Sequence, residues 1–204
     1  MNKLALPFLI LAACVSASIP LAAEGVAPNE APPTKVITSC QRCHGPGGDS
    51  VSETVPRLNG QQAAYIIARL NDFLDPTRED PHATKTMWGV LSEVDNATFA
   101  SLAAYYSRQT PTRPAGSGAS ADEGRRIYMN GASAQQVPAC TGCHGARAEG
   151  SGATPRLAGQ HADYLKKQLD RLSLAIRESD VMHPSLYRIT DDQIKELVSY
   201  LANK

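Results

Sequence analysis

Apolar residues recur at three- and four-residue spacing in two long stretches. Ala63, Ile66, Ile67, Leu70 and Leu74 form one stripe within residues 59–75, and Tyr164, Leu165, Leu169 and Leu172, with Gln168 on the same line, form its counterpart. That period predicts amphipathic helices, each with one buried face. Two further runs, SLAAYYS (101–107) and ELVSYLA (196–202), predict closing helices. The first should begin behind Asp95 as N-cap. The second should begin behind Thr190, which forms a capping box with Gln193 and leads Ile194, Leu197, Val198 and Leu201 along one face. ADEGRRIYMNG (121–131) predicts a short helix ending on Gly131. No stretch alternates as a strand, so the expected class is all-α.

The two stripes belong to a longer repetition. PRLNGQQAAYIIARL (56–70) matches PRLAGQHADYLKKQL (155–169), and CQRCHGPGGDS (40–50) matches CTGCHGARAEG (140–150). Both copies then reach a methionine, Met87 or Met182, before the closing helix. The offset is 100 at the cysteines, 99 at the PRL segment and 95 at the methionines, the drift that small loop changes produce. Between the copies, QTPTRPAGSGAS (109–120) has linker composition, with a semi-extended Pro-containing half and a loose Gly/Ser half. The expected domains are therefore 24–108 and 121–204.

The first 23 residues are not fold material. Lys3 precedes an apolar stretch from Leu4 to about Ile19, then Ala22 and Ala23, then a polar run from Glu24. This is the layout of a secretory signal peptide, with cleavage expected after Ala23. Pro7, Ser16, Ser18 and Pro20 interrupt the run below the ~18 apolar residues of a membrane span. Leu11-Ala12-Ala13-Cys14 also resembles a lipobox. The alternative is thus a lipoprotein signal ending before Cys14, which would tether the mature chain to a membrane through that residue. About 180 residues remain, with three Phe, one Trp and seven Tyr in the whole chain, so two domains of ~90 residues would have thin cores. A large flat group inside each would fill them.

Net charge is zero, but it is unevenly spread. Residues 24–110 carry seven basic and ten acidic side chains, net −3, and residues 111–204 carry twelve and ten, net +2. Such a dipole can favour docking of the two halves and orient the molecule toward partners. No basic run suited to nucleic acid is present.

Four of the five cysteines form two C-x-x-C-H units: Cys40, Cys43 and His44, then Cys140, Cys143 and His144. A disulfide three residues apart closes a tiny loop and leaves the histidine unexplained. A zinc ribbon places its second pair some 15–20 residues on, whereas these pairs stand 97 apart, from Cys43 to Cys140. A thioredoxin-like site expects a βαβ context that is absent. Covalent haem attachment requires this arrangement, with two thiols adding to the vinyl groups and the adjacent imidazole brought beneath the iron. Two haem c groups are therefore expected. Met87 and Met182, matched across the copies, are candidates for the opposite axial position, where a thioether raises the potential; the alternative is that they fill gaps in the core. His183 competes with Met182, although its counterpart is Trp88. His161 aligns with Gln62 as a surface or interface residue, and His82 is expected in a loop.

CQRCHG, CTGCHG and the doubled PRL-x-GQ-x-A-x-Y resemble the dihaem cytochrome c4 family over residues 33 to 204. The resemblance implies two tandem class I cytochrome c domains related by a pseudo-twofold, each wrapped around one haem. It implies His–Met ligation in both and a periplasmic carrier of single electrons. Its partners would be a quinol-oxidising bc-type complex and a terminal oxidase such as the cbb3 type. It also implies that the Pro56 carbonyl accepts the Nδ1 proton of His44 and Pro155 that of His144, that Leu58 and Leu157 pack on the haems, and that Arg57 and Arg156 face propionates; solvated surface charge is the alternative for the arginines. ARAEGSG after the second motif, where the family carries more glycine, and the short segment before Met182 depart from the family pattern. Catalytic residues are not expected. The rival reading is the dihaem electron-accepting subunit of a flavocytochrome c sulfide dehydrogenase or a similar periplasmic dehydrogenase. A catalytic dihaem enzyme would need an open iron site.

Overall fold

The computed structural model describes residues 30–75, 81–114, 122–177 and 179–204. The expected signal segment with Cys14 and the Gly/Ser half of the linker lie outside the described residues. In the N-terminal half, α1 (Thr34–His44) leads through a 3-10 turn at Pro46–Gly48 to α2 (Ala63–Leu74), α3 (Pro81–Leu91) and α4 (Phe99–Ser107). In the C-terminal half follow α5 (Asp122–Asn130), α6 (Thr141–His144), α7 (Ala162–Ser173), α8 (Met182–Leu186) and α9 (Asp191–Ala202). Among the described residues, β-structure is confined to two isolated bridges, Ala132–Val137 and Ser151–Thr154. No helix among them is long and apolar enough to cross a membrane.

The helix starts follow local chemistry. Asp95 accepts the Ala97 N–H and opens the turn Asn96–Thr98 that feeds α4. Thr190 and Gln193 exchange both capping-box hydrogen bonds ahead of α9. His82 falls within α3 rather than in a loop.

Each half has its own core. In the first, Val36 of α1, Ile66 of α2, Leu91 of α3 and Phe99, Leu102 and Tyr106 of α4 are packed together. In the second, Ile127 and Tyr128 of α5, Leu165 of α7 and Ile194, Leu197, Val198 and Leu201 of α9 do the same. Helices α5 and α9 cross at Gly124, where a Cβ would stand 2.0 Å from the Glu196 carbonyl oxygen and 3.0 Å from the Tyr200 Cβ. Only glycine permits that approach. The halves differ before the C-x-x-C-H unit. Helix α1 runs unbroken into His44, whereas α5 ends at Asn130 and α6 begins only at Thr141, after the turn Ser133–Gln135.

The described part of the linker is held in place. Thr110 and Thr112 accept hydrogen bonds from the Asn59 side-chain amide at 2.9 and 2.8 Å, and the Thr112 hydroxyl donates to Asp49 at 2.6 Å. This path passes directly over the glycines of both PRL-x-GQ segments. A Cβ on Gly60 would lie 2.2 Å from Pro111 Cγ, and one on Gly159 2.3 Å from the Thr112 carbonyl oxygen.

Candidate functional site

On α1 the four-residue spacing of Val36, Cys40 and His44 puts all three on one helical face. Val36 and His44 are buried and Cys40 packs against the first core, while Cys43, three positions from Cys40, stays exposed. On the second unit Cys140 packs against its core, Cys143 is exposed and His144 is buried. The four thiols are unpaired. Burial raises the Cys40 thiol pKa and pushes that of Cys140 up to about 11. Both remain protonated near neutral pH.

The imidazoles are fixed in the same way. His44 Nδ1 lies 2.9 Å from the Pro56 carbonyl oxygen and His144 Nδ1 3.0 Å from that of Pro155. A carbonyl only accepts, so Nδ1 carries the proton and Nε2 presents its lone pair. Burial holds both rings below the ordinary histidine pKa, against the opposing effect of the carbonyl bond. Each ring is therefore neutral near pH 7, as a metal ligand must be. An oriented, neutral imidazole beside two free thiols fits a covalently attached haem in each half.

The other sequence candidates divide between the halves. Met87, in α3, packs against the first core, whereas Met182 opens α8 and is half-buried outside the second core cluster, its N–H donating to the Ser179 hydroxyl at 3.0 Å. Leu58 and Leu157 each pack on their own core. His183 Nδ1 donates to the Leu172 carbonyl at 2.9 Å, tying α8 to the end of α7. Arg57 bonds Asp49 at 3.2 Å and reaches the Gly159 carbonyl at 2.7 Å; Arg156 bonds the Ala158 carbonyl at 3.1 Å. Both arginines line a small polar hollow between the halves with Asn59, Gln61, Thr112 and Gln160.

Sequence reasoning did not assign Gln61, Gln160 or Arg177 a role. The Gln61 amide spans the backbone of Arg156, accepting its N–H at 2.7 Å and donating to its carbonyl at 3.0 Å. The Gln160 amide does the same to Arg57, at 3.0 and 3.1 Å. The next residue in each copy also crosses. Gln62 donates to the carbonyls of Glu149 and Gly150 at 2.9 and 3.3 Å. His161 Nε2 donates to the Ser50 carbonyl at 2.8 Å, with its Nδ1 3.5 Å from the Glu53 carboxylate. His161 is thus a buried interface residue. Arg177 bridges the Tyr65 hydroxyl, at 3.1 Å, and Gln168, at 2.7 Å. The visible clue was the repeat itself, which places Gln62 and His161, two side chains able to donate a hydrogen bond, at matched positions.

A cytochrome c family model matches residues 121–204. Cytochrome c-552 of Acidithiobacillus ferridurans is 36% identical over 187 residues, covering 89% of this chain and 81% of the relative. The cytochrome c4 structure from Acidithiobacillus ferrooxidans superposes with a TM-score of 0.76 at 35% identity, over 82% of this chain and 99% of that one. The chain belongs to the dihaem cytochrome c4 family. A thiosulfate dehydrogenase electron acceptor of Thiomonas intermedia is also 34% identical, over 84% of this chain and 80% of its own. As a cytochrome c4-type protein the chain has the tandem class I fold, is a periplasmic electron carrier rather than an enzyme, and by homology takes two haem c groups.

Proposed function

We propose that this protein carries single electrons from a quinol-oxidising bc-type complex to a terminal oxidase such as the cbb3 type. In this reading Cys40 and Cys43 hold one haem c and Cys140 and Cys143 the other. His44 with Met87, and His144 with Met182, are the axial ligands, in domains 24–108 and 121–204 joined by 109–120. The observation that carries it is the pair of buried imidazoles, each locked at Nδ1 by a proline carbonyl 2.9 or 3.0 Å away. When bound, haem c supplies a one-electron ferric/ferrous couple. The chain's own part is to keep each ring neutral and oriented, to offer Met87 and Met182 as the residues that would hold the iron with it, and to hold the two halves in one register through Gln61 and Gln160. With histidine and methionine both holding the iron, reorganisation would be small and no position would be left for an outside molecule.

The test is a visible-spectrum redox titration of the dihaem protein beside Met87→Ala and Met182→Ala. Each substitution should lower one haem's potential and weaken its low-spin spectrum while sparing the other. Unchanged spectra and potentials would overturn the ligand assignment.

The likeness to the Thiomonas acceptor supports a second reading, in which a periplasmic dehydrogenase of sulfur compounds is the donor. Reduction rates measured with a purified bc-type complex and with such a dehydrogenase separate the two. A flavocytochrome c partnership would instead show as co-purification with a flavin subunit.

A further inference from the structure

Each proline carbonyl that accepts an imidazole proton belongs to the same peptide group as an arginine N–H held by the opposite half. The Pro56 carbonyl and the Arg57 N–H are the two ends of one peptide, as are those of Pro155 and Arg156. No described peptide is cis, so in each the two groups point to opposite sides. The result is two crossed chains of hydrogen bonds. In one, the His44 Nδ1–H donates to Pro56 at 2.9 Å and the same peptide's N–H donates to Gln160 Oε1 at 3.0 Å. In the other, the His144 Nδ1–H donates to Pro155 at 3.0 Å and the Arg156 N–H donates to Gln61 Oε1 at 2.7 Å.

We propose that Gln160 and Gln61 are positioning residues that set, each through a single peptide group, the donor strength of the imidazole in the opposite half. This rests on the reading of His44 and His144 as axial ligands. A peptide whose N–H is donated becomes more polarised, and its oxygen becomes a stronger acceptor. A stronger acceptor draws the Nδ1 proton further, makes the ring more basic at Nε2, and favours ferric iron. Each glutamine therefore lowers the potential of the haem it does not share a half with. Gln61 and Gln160 are both buried, and each also grips the arginine carbonyl, so the relay is dry and has little freedom to rotate. Docking of the halves and tuning of the haems become one event: separating the halves removes both acceptors at once.

The experiment is a redox titration of the full dihaem protein carrying Gln160→Leu or Gln61→Leu. The exchangeable Nδ1–H resonances of His44 and His144 and the amide exchange of Arg57 and Arg156 are followed alongside. Gln160→Leu should raise the potential of the His44 haem by a factor of about 2–3 in its reduction equilibrium, ~20–30 mV at 59 mV per tenfold for one electron. The His144 haem should hardly move. Gln61→Leu should do the converse, and in each variant the arginine amide across the interface should lose protection. Gln160→Glu, titrated at a pH where its carboxyl is protonated, keeps an oxygen where Arg57 donates and an O–H for the Arg57 carbonyl, so the amide should stay protected and the His44 potential should stay at or below its native value. Equal shifts of both haems in either leucine variant would show that the glutamines act only by holding the halves together. A rise in Gln160→Glu equal to that in Gln160→Leu would also overturn the relay. If the Nδ1–H resonances show instead that either histidine is not bound to iron, the ligand reading fails, which is a separate result.

Discussion

Replacing Gly159 by alanine tests whether the linker is a fitted part of the interface. At Gly159 φ is +75°, and the new Cβ would stand 2.3 Å from the Thr112 carbonyl oxygen, where ordinary contact begins at 3.4 Å. The obstacle is backbone, so either Thr112 or the Gly159 segment must retreat by roughly 1 Å. A left-handed residue with a side chain costs about 1–2 kcal/mol, and overpacking of this kind adds about 1–3 kcal/mol. The sum is about 2–5 kcal/mol. The retreat would also strain the Thr112–Asn59 and Thr112–Asp49 hydrogen bonds and the adjacent Gln160–Arg57 pair. Two controls isolate the terms. Gly152 has φ +55° and nothing within 4 Å of its Cβ position, so Gly152→Ala should cost only the left-handed term, about 1–2 kcal/mol. Gly89 lies in α3 with nothing within 4 Å, so Gly89→Ala should stabilise by about 0.5–1 kcal/mol. The assay is guanidinium unfolding of the dihaem protein followed by far-ultraviolet circular dichroism. Gly159→Ala no worse than Gly152→Ala would mean that residues 110–112 are a loose strap and that the close approach does not constrain the fold.

Other substitutions bear on the same packing. Gly124→Ala keeps a helical backbone but drives a Cβ to 2.0 Å from the Glu196 carbonyl oxygen, so the C-terminal half should lose about 1–3 kcal/mol in denaturant unfolding despite alanine's helix preference. His161→Gln reproduces the donor found at Gln62 and should leave the thermal midpoint nearly unchanged. His161→Leu leaves the buried bond to the Ser50 carbonyl unmade and should cost about 1–3 kcal/mol by the same measurement. Arg177→Met removes the bridge between Tyr65 and Gln168 at a cost of about 2 kcal/mol. It should also raise protease cleavage between residues 109 and 120, and Arg177→Lys should recover little because one ammonium cannot reproduce the fork.

Where the sequence was legible, one face of most elements was largely apolar. Helices α2, α4, α7 and α9 follow from their stripes, α5 from the short run that ends on Gly131, and the Asp95 and Thr190 caps mark two of their starts. Helix α1 escaped because Cys40 and His44 occupy the places on its buried face that apolar residues would otherwise take. Helices α6 and α8, with 4 and 5 residues, are too short to show a period. The bonds from Nδ1 to Pro56 and Pro155, expected from family resemblance, are present in both halves. The interface was hidden for a different reason. Gln61 and Gln160 are polar residues that spacing assigns to solvent, and only the three-dimensional return of one copy onto the other shows that they are buried.

Beside the expected role for unlike charges in docking the halves stands a more specific one for the repeat. Among the described residues, the bonds that cross the interface are mainly those of side-chain amides and peptide groups, joined by charged groups where Arg57 reaches the Gly159 carbonyl and Arg177, favoured by Asp72 of the other half, reaches Tyr65. Neutral hydrogen bonds of this kind are little affected by salt. A segment that can clasp the backbone of its own copy needs only to be written twice to make a two-sided interface, as an isologous surface does between separate subunits. PRL-x-GQ meets that condition: its proline holds the histidine of its own half, its glycine admits the linker, and its glutamine grips the arginine of the other copy. The orientation of each imidazole and the register of the two halves are therefore encoded in the same six residues, and a change in one is transmitted to the other.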